Sequence, residues 1–252
     1  MRFDDTEQKS SVLMRLDVRV YYCAMTAKTT FPERFDCITF DWDGTLFDST
    51  AIITRCIQGA VVEVGGARPT DEAASYVIGL GLMQALAHAA PDVPPEKYPA
   101  LGEAYKRQWA LHVDDIDFFP GTMQMLLDLK ARGLKLAVAT GKSRRGLDEV
   151  LQRELNGIKL KTLFDATRTA DQTAGKPDPL MLLELIEALD VAPQRMLMIG
   201  DTTHDLLLAR NAGVASVGVS FGAHAAEAFA EYLPLHIAHS MADLHDWLNK
   251  NA

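Results

Sequence analysis

The chain has 252 residues, 48% of them apolar, enough to bury a sizeable core as one large domain or as a core domain with an insertion. Its net charge of −9, from 34 acidic against 25 basic residues, argues against a nucleic-acid-binding surface, which needs a basic stripe. No apolar run reaches the roughly 18 residues of a membrane span, and three cysteines without CxxC spacing (Cys23, Cys37, Cys56) fit free thiols in a reducing cytoplasm.

Residues 1–30 mix charges with short apolar runs and show no clean period, so they read as an N-terminal extension. Residues 1–24 read as dispensable, or as the product of an upstream start codon, and a chain beginning at Met25 is expected to fold. "FDCITFD" (Phe35–Asp41) is a short apolar, β-branched run ending in acid, the pattern of a buried strand. From Ser49, a candidate N-cap, to Val64 the pattern is helical, and "GGARPTDE" breaks it before a helix opening near Thr70 or Asp71. Three further helical stretches follow, the last reaching about His112, with no strand signal before about Asp117. A helix then runs from about Gly121 to the "ARG" at Ala131–Gly133, followed by the strand "LKLAVAT" (Leu134–Thr140). "GKSRRGLDEVLQREL" reads as one helix, "LFDATRTA" as a weak strand, and "KPDPLMLLELIEALD" as a helix with proline near its start. "RMLMIGD" is a strand, "THDLLLARNAG" a helix closed by Gly213, and "VASVGVS" a strand. A weak strand at His236–Ala238 precedes the last helix, "MADLHDWLNK".

Strand and helix alternate from Gly121 onward, and the first strand stands before an all-helical stretch. The expected class is therefore α/β: a Rossmann-like parallel sheet with helices on both faces and an inserted all-α cap. The core takes residues 31–48 and 118–252, and the cap residues 49–117. Such sheets bind ligands outside the carboxyl ends of their strands. Those ends carry Asp41, Thr140 and Asp201.

Four segments, "DWDGTLFDS", "VATGK", "GKPDP" and "GDTTHD", in this order, resemble the four motifs of the haloacid dehalogenase superfamily in its phosphatase branch. The phrase "FFPGTMQMLLDLKARGLKLAVAT" and the insertion after the first motif resemble phosphoglycolate phosphatases. The resemblance implies that Asp41 is a nucleophile forming an aspartyl-phosphate and that Asp43 is the general acid, then base. Gly44 lets the chain turn so that N–H groups face the phosphate, and Thr45 helps to hold that turn. Thr140 and the N–H of Gly141 match the phosphate-binding strand end. Lys176 matches the lysine that neutralises phosphate and nucleophile. The implied cofactor is Mg²⁺, with ligands from the Asp41 and Asp201 carboxylates and the Asp43 carbonyl. Asp205 holds a metal-bound water or orients Lys176.

Isolated Asp residues usually cap helices or form turns, and a loop lysine is usually solvated; the joint spacing sets these readings aside. "ATGKS" ends like a phosphate-binding Walker loop, but that motif needs a glycine where Leu136 stands. Lys142, Arg144 and Arg145 read as a solvated helix start, and His204 as a polar loop residue. Met123, Met125, Met196 and Met198 read as core filling. In "VIGLGL" (Val77–Leu82), Gly79 and Gly81 resemble the cap turn of phosphoglycolate phosphatases. There they would admit the non-phosphate end of the substrate, a carboxylate, to the backbone; the alternative is an ordinary turn between two helices.

The expected function is hydrolysis of a small phosphorylated metabolite, phosphoglycolate by resemblance, in the cytoplasm, without nucleic-acid or membrane partners. A phosphomutase on the same scaffold and a non-catalytic regulatory protein are the alternatives. Asp43 and Asp201 count against a dehalogenase, and the lack of a lysine between Ser49 and Glu96 against a phosphonate hydrolase. Oligomeric state has no readable signal.

Overall fold

The computed structural model describes residues 35–155 and 157–252, so the expectations for residues 1–30 lie outside the described residues. In chain order, β1 (Cys37–Phe40) leads into four helices, α1 (Thr50–Glu63), α2 (Asp71–Tyr76), α3 (Leu82–Ala89) and α4 (Tyr98–Ala110). Alternation then begins: α5 (Thr122–Ala131), β2 (Lys135–Thr140), α6 (Arg144–Leu151), a hairpin of β3 (Glu154–Leu155) and β4 (Ile158–Lys159), and β5 (Ala166–Thr169). The chain ends with α7 (Leu180–Leu189), β6 (Met196–Gly200), α8 (Thr203–Ala212), β7 (Ala215–Val219), β8 (Ile237–Ala238) and α9 (Met241–Asn251).

Six strands form one sheet in the order β5-β2-β1-β6-β7-β8, and every pair in it is parallel. β1, β6 and β7 are buried along their whole length and β2 everywhere but at Lys135, which is why these inner strands read as apolar runs rather than alternating ones. β1 lies between β2 and β6, with Phe40 level with both Val138 and Ile199. That register brings Asp41, Thr140 and Asp201 to the same edge of the sheet. Met181, Leu182 and Leu185 of α7 and Leu208 and Ala209 of α8 pack with Cys37, Ala137, Met196 and Met198 in one core.

The four helices between β1 and α5 bury a hydrophobic cluster of their own, built on Ile53, Ile57, Val61, Leu86 and Leu101. The chain leaves for this insertion and returns from it at neighbouring points. Asp48 N–H donates to the Asp117 carbonyl and Phe119 N–H to the Leu46 carbonyl, both at 3.0 Å. Phe47 and Phe118 form an antiparallel bridge between these bonds, with rings 4.4 Å apart.

Two expectations are corrected. The helix "GKSRRGLDEVLQREL" is confined to Arg144–Leu151, because Gly157, at φ +79°, turns the chain back into the β3–β4 hairpin. After α2 there are two α-helices and two 3₁₀ turns, at Pro95–Lys97 and Val113–Asp115, rather than three helical stretches ending at His112; Pro94, extended at ψ 146° before Pro95, keeps the first turn apart from α3. A further 3₁₀ segment, Ala226–Tyr232, was not anticipated. Met125, Met196 and Met198 are fully buried, and Met123 is half-buried. Among the described residues no helix is long and apolar enough to cross a membrane.

Candidate active site

Asp41 is the first residue beyond β1 and is 1% exposed. The chain then turns, closed by Gly44 N–H to the Phe47 carbonyl and Leu46 N–H to the Trp42 carbonyl. Trp42, buried and stacked on Phe47 at 5.0 Å, anchors the turn from below. Gly44 is required twice over: its φ is +81°, and a Cβ there would collide with Asp201 Oδ2. Thr45 does not hold the turn as expected. Its hydroxyl donates to Asp201 Oδ1 at 2.8 Å, while Ala223 N–H donates to Oδ2 at 2.7 Å, so both Asp201 oxygens are fixed.

Lys176, fully buried, places Nζ 2.7 Å from Asp41 Oδ1 and 2.7 Å from Asp205 Oδ1. Asp205 stands in the first turn of α8, where the Thr202 backbone N–H and hydroxyl both donate to its Oδ2. The α8 cap thereby aims the other oxygen at Lys176. Carboxylate oxygens of Asp41, Asp201 and Asp205 lie within 4.8 Å of one another. The Lys176 contacts are ionic without aligned hydrogen bonds, and among the described residues neither Asp41 oxygen has a hydrogen-bond partner.

Four carboxylates, Asp41, Asp43, Asp201 and Asp205, face two ammonium groups, Lys176 and Lys142. The excess of two negative charges suits one divalent cation, and the all-oxygen donor set suits a hard one. The Asp41 carboxyl is pushed up to about 7, first by burial and then by Asp205 and Asp43, against the pull of Lys176. Burial, Asp41 and Asp205 lift Asp201 well above the usual carboxylate range, against the Ala223 and Thr45 bonds. Burial lowers Lys176, but Asp205 and Asp41 outweigh it and hold it protonated.

These shifts set a sign for metal and pH together. Between about pH 4 and 7, the metal-free folded protein keeps an Asp41 proton that the unfolded chain has released. That contribution to stability is therefore lost as pH rises through this window. A divalent cation opposes the loss by favouring the ionised form. Mg²⁺ is expected to raise Tm more at the top of the window than at the bottom, as thermal unfolding at both pH values will show. An equal Mg²⁺ effect at both would place the cation away from Asp41.

Thr140, at the end of β2, is buried, and its Oγ1 accepts the Lys142 backbone N–H at 3.2 Å. Next to it Gly141 meets the insertion: a Cβ there would collide with the carbonyls of Gly79 and Leu80. Gly79 has φ +89°, and a Cβ on it would lie 3.2 Å from Thr202 Oγ1 and 3.9 Å from Asp41 Oδ2. The turn after α2 thus closes directly over Asp41.

A profile of the haloacid dehalogenase-like hydrolases matches residues 38–219. The chain belongs to this family. A phosphoglycolate phosphatase of Vibrio vulnificus is 30% identical over 231 residues, covering 85% of this chain and 96% of the relative. A 5'-nucleotidase of Pseudomonas aeruginosa is 28% identical over 222 residues, covering 86% and 97%. The crystal structure of a haloacid dehalogenase-like hydrolase of Bacteroides fragilis superposes with a TM-score of 0.75 at 26% identity, covering 84% of this chain and all of that one.

In this haloacid dehalogenase-like hydrolase the two insertion glycines separate. Gly81 has φ −61°, serves as the N-cap of α3, and faces Ala170, where a Cβ would lie 3.3 Å from the Ala170 Cβ. Only Gly79 is turned toward the carboxylates. Ser49 occupies the N-cap position of α1 without capping it; its hydroxyl donates instead to Asp43 Oδ1 at 2.9 Å. Lys142 is not a solvated residue: Nζ lies 3.0 and 2.9 Å from the two Asp43 oxygens. Its place two residues beyond Thr140, in the same strand-end loop, was the only signal for this. Arg145 is solvated and pairs with Glu149 along α6, whereas Arg144 is partly buried, pairing with Asp148 and donating to the Thr167 hydroxyl at 2.7 Å. His204 lies in α8 rather than in a loop, and with His224 it holds the Tyr76 carbonyl at the end of α2, at 2.9 and 3.0 Å.

Proposed function

We propose that this hydrolase is a Mg²⁺-dependent phosphatase that cleaves a small phosphate monoester through an aspartyl-phosphate. The observation that carries the reading is the buried Asp41 beyond the central strand, with Lys176 at 2.7 Å and Asp43 two residues on. A phosphate monoester repels an anionic nucleophile, so the reaction needs positive charge at the phosphoryl oxygens. Lys176 supplies one such charge beside the attacking carboxylate. The Asp41 and Asp201 carboxylates and the Asp43 carbonyl would hold Mg²⁺, with Asp205 oriented toward Lys176. When bound, the cation neutralises phosphoryl charge.

In the first step an Asp41 oxygen bonds to phosphorus as the bond to the ester oxygen breaks, and Asp43 gives its proton to the departing alkoxide. In the second, water attacks the same phosphorus and Asp43 takes its proton. The Asp41–phosphorus bond breaks, and phosphate leaves. In this reading Thr140 and the Gly141 N–H bind the phosphoryl oxygens, a role supported by their place at the end of β2, beside β1.

Residues 49–117 act as a cap in this reading. The Gly79 turn stands close over Asp41, which supports a small leaving group, with space left for the water of the second step. Phosphoglycolate is accordingly the first substrate to test, ahead of nucleoside 5'-monophosphates. The buried free thiols of Cys37 and Cys56 support a reducing cytoplasm as the compartment.

Chelator-treated protein should be inactive on para-nitrophenyl phosphate and recover with Mg²⁺. In a panel of phosphorylated metabolites kcat/KM should be highest for a small acid ester. Hydrolysis unaffected by excess chelator refutes the metal assignment, and a nucleotide at the head of the panel refutes the small-substrate assignment.

A further inference from the structure

We propose that Lys142 is a positioning residue that sets the Asp43 carboxylate according to whether the helical insertion is seated. The inference rests on the reading of Asp43 as acid and base. Lys142 reaches the two oxygens of Asp43 from the loop after β2, and on its other side the ammonium lies 4.4 Å from the centre of the Trp109 ring. Lysine and aspartate side chains are each only 12% exposed. One wall of this slot, Asp43, belongs to the sheet edge; the other, Trp109, lies in the last turn of α4.

Trp109 moves with the insertion. It stacks on Tyr105, one turn earlier in α4, with centroids 6.4 Å apart, and both rings pack against the insertion's own hydrophobic cluster. An ammonium group between a carboxylate and an aromatic face, shielded from water, attracts both more strongly than the same group in solvent. If the insertion lifts, the ring departs, water reaches Nζ, and the pair becomes an exposed one of the weakly held kind. With the insertion seated, Lys142 fixes the Asp43 carboxylate from one side and the Ser49 hydroxyl from another, at 2.9 Å. Full restraint of the proton-transferring group is thereby tied to closure over the substrate. None of these contacts involves Lys176, Thr140 Oγ1 as a donor, or the Asp41 carboxylate, so phosphate binding and proton transfer are held by separate lysines.

The test is steady-state kinetics on para-nitrophenyl phosphate with saturating Mg²⁺, with melting curves recorded for every variant. Lys142→Met keeps the stem against Trp109 and removes the charge. It should lower kcat about 10- to 100-fold, the usual cost of losing a group that orients a reacting one, and leave KM little changed. Lys142→Arg should restore part of the loss, and Trp109→Leu should lower kcat in the same way but less. Because Trp109 acts through Lys142, the double variant should be no slower than Lys142→Met alone. A raised KM at unchanged kcat would make Lys142 a substrate contact, and losses that multiply in the double variant would uncouple the ring from the lysine; either overturns the proposal, as does an unchanged kcat. Should Lys142→Met fail to fold, Lys142→Arg and Trp109→Leu carry the same comparison. Asp43→Asn separates the two levels: it should lose about 10²- to 10⁴-fold if Asp43 transfers the proton. An active Asp43→Asn sinks that reading itself, whereas an inactive one beside a fully active Lys142→Met sinks only the role of Lys142.

Discussion

Asp41→Asn is expected to abolish turnover and to trap no phosphoryl group on the protein after acid quenching. The amide is isosteric with the carboxylate, so packing at the end of β1 is preserved, but its oxygen is no longer an anionic nucleophile. The fold should not suffer. Asp41 is one of three buried carboxylates clustered within 4.8 Å, and burial already disfavours its ionised form. Removing that charge should leave the metal-free protein as stable as the wild type or more so. Radiolabel retained on Asp41→Asn would show that another residue is the nucleophile. A large fall in Tm would show that Asp41 is needed for structure as well as chemistry.

Lys176→Met should lose activity and stability together. The side chain is fully buried, and its ammonium is the only cation described within ion-pair distance of Asp41 and Asp205. Deleting one partner of a buried pair leaves uncompensated charge and typically costs about 3–5 kcal/mol. Urea denaturation in chelator should show a loss on that scale. Two additions should recover part of it: Mg²⁺, which at the proposed site would supply cationic charge to the same carboxylates, and Asp41→Asn in the same chain, which removes one of them. Coupling of this sign follows from a shared electrostatic site. If Lys176→Met without metal is as stable as the wild type, Lys176 is not the charge that balances the cluster.

The strands at the centre of the sheet were legible because each is buried on both faces and ends at a polar residue. "CITF" before Asp41, "KLAVAT" ending at Thr140 and "MLMIG" before Asp201 need no partner to be recognised. The β3–β4 hairpin was not legible, because two-residue strands carry no period. Nor does sequence show the sign of φ that sets Gly79 apart from Gly81. Lys176 and Lys142 are both lysines in loops after glycine. Lys176 was found by the company of "GKPDP", whereas Lys142 owes its burial to Trp109, far along the chain on a helix that nothing local connects to it. Ser49 stands at the N-cap position of α1 but bonds Asp43, and an N-cap serine and an acid-binding serine look alike in sequence.

The stitched junction at Leu46–Asp48 and Asp117–Phe119 makes the helical insertion an exchangeable part. Its two ends meet side by side, so the frame closes around them whatever the length of chain between, at an entropic cost that grows only slowly with that length. Asp41, Asp43, Lys176 and Asp201 all lie outside the exchanged piece. Descent can therefore replace the surface that we propose selects the molecule while the groups proposed to break its bond are inherited unchanged, and the two can diverge at different speeds.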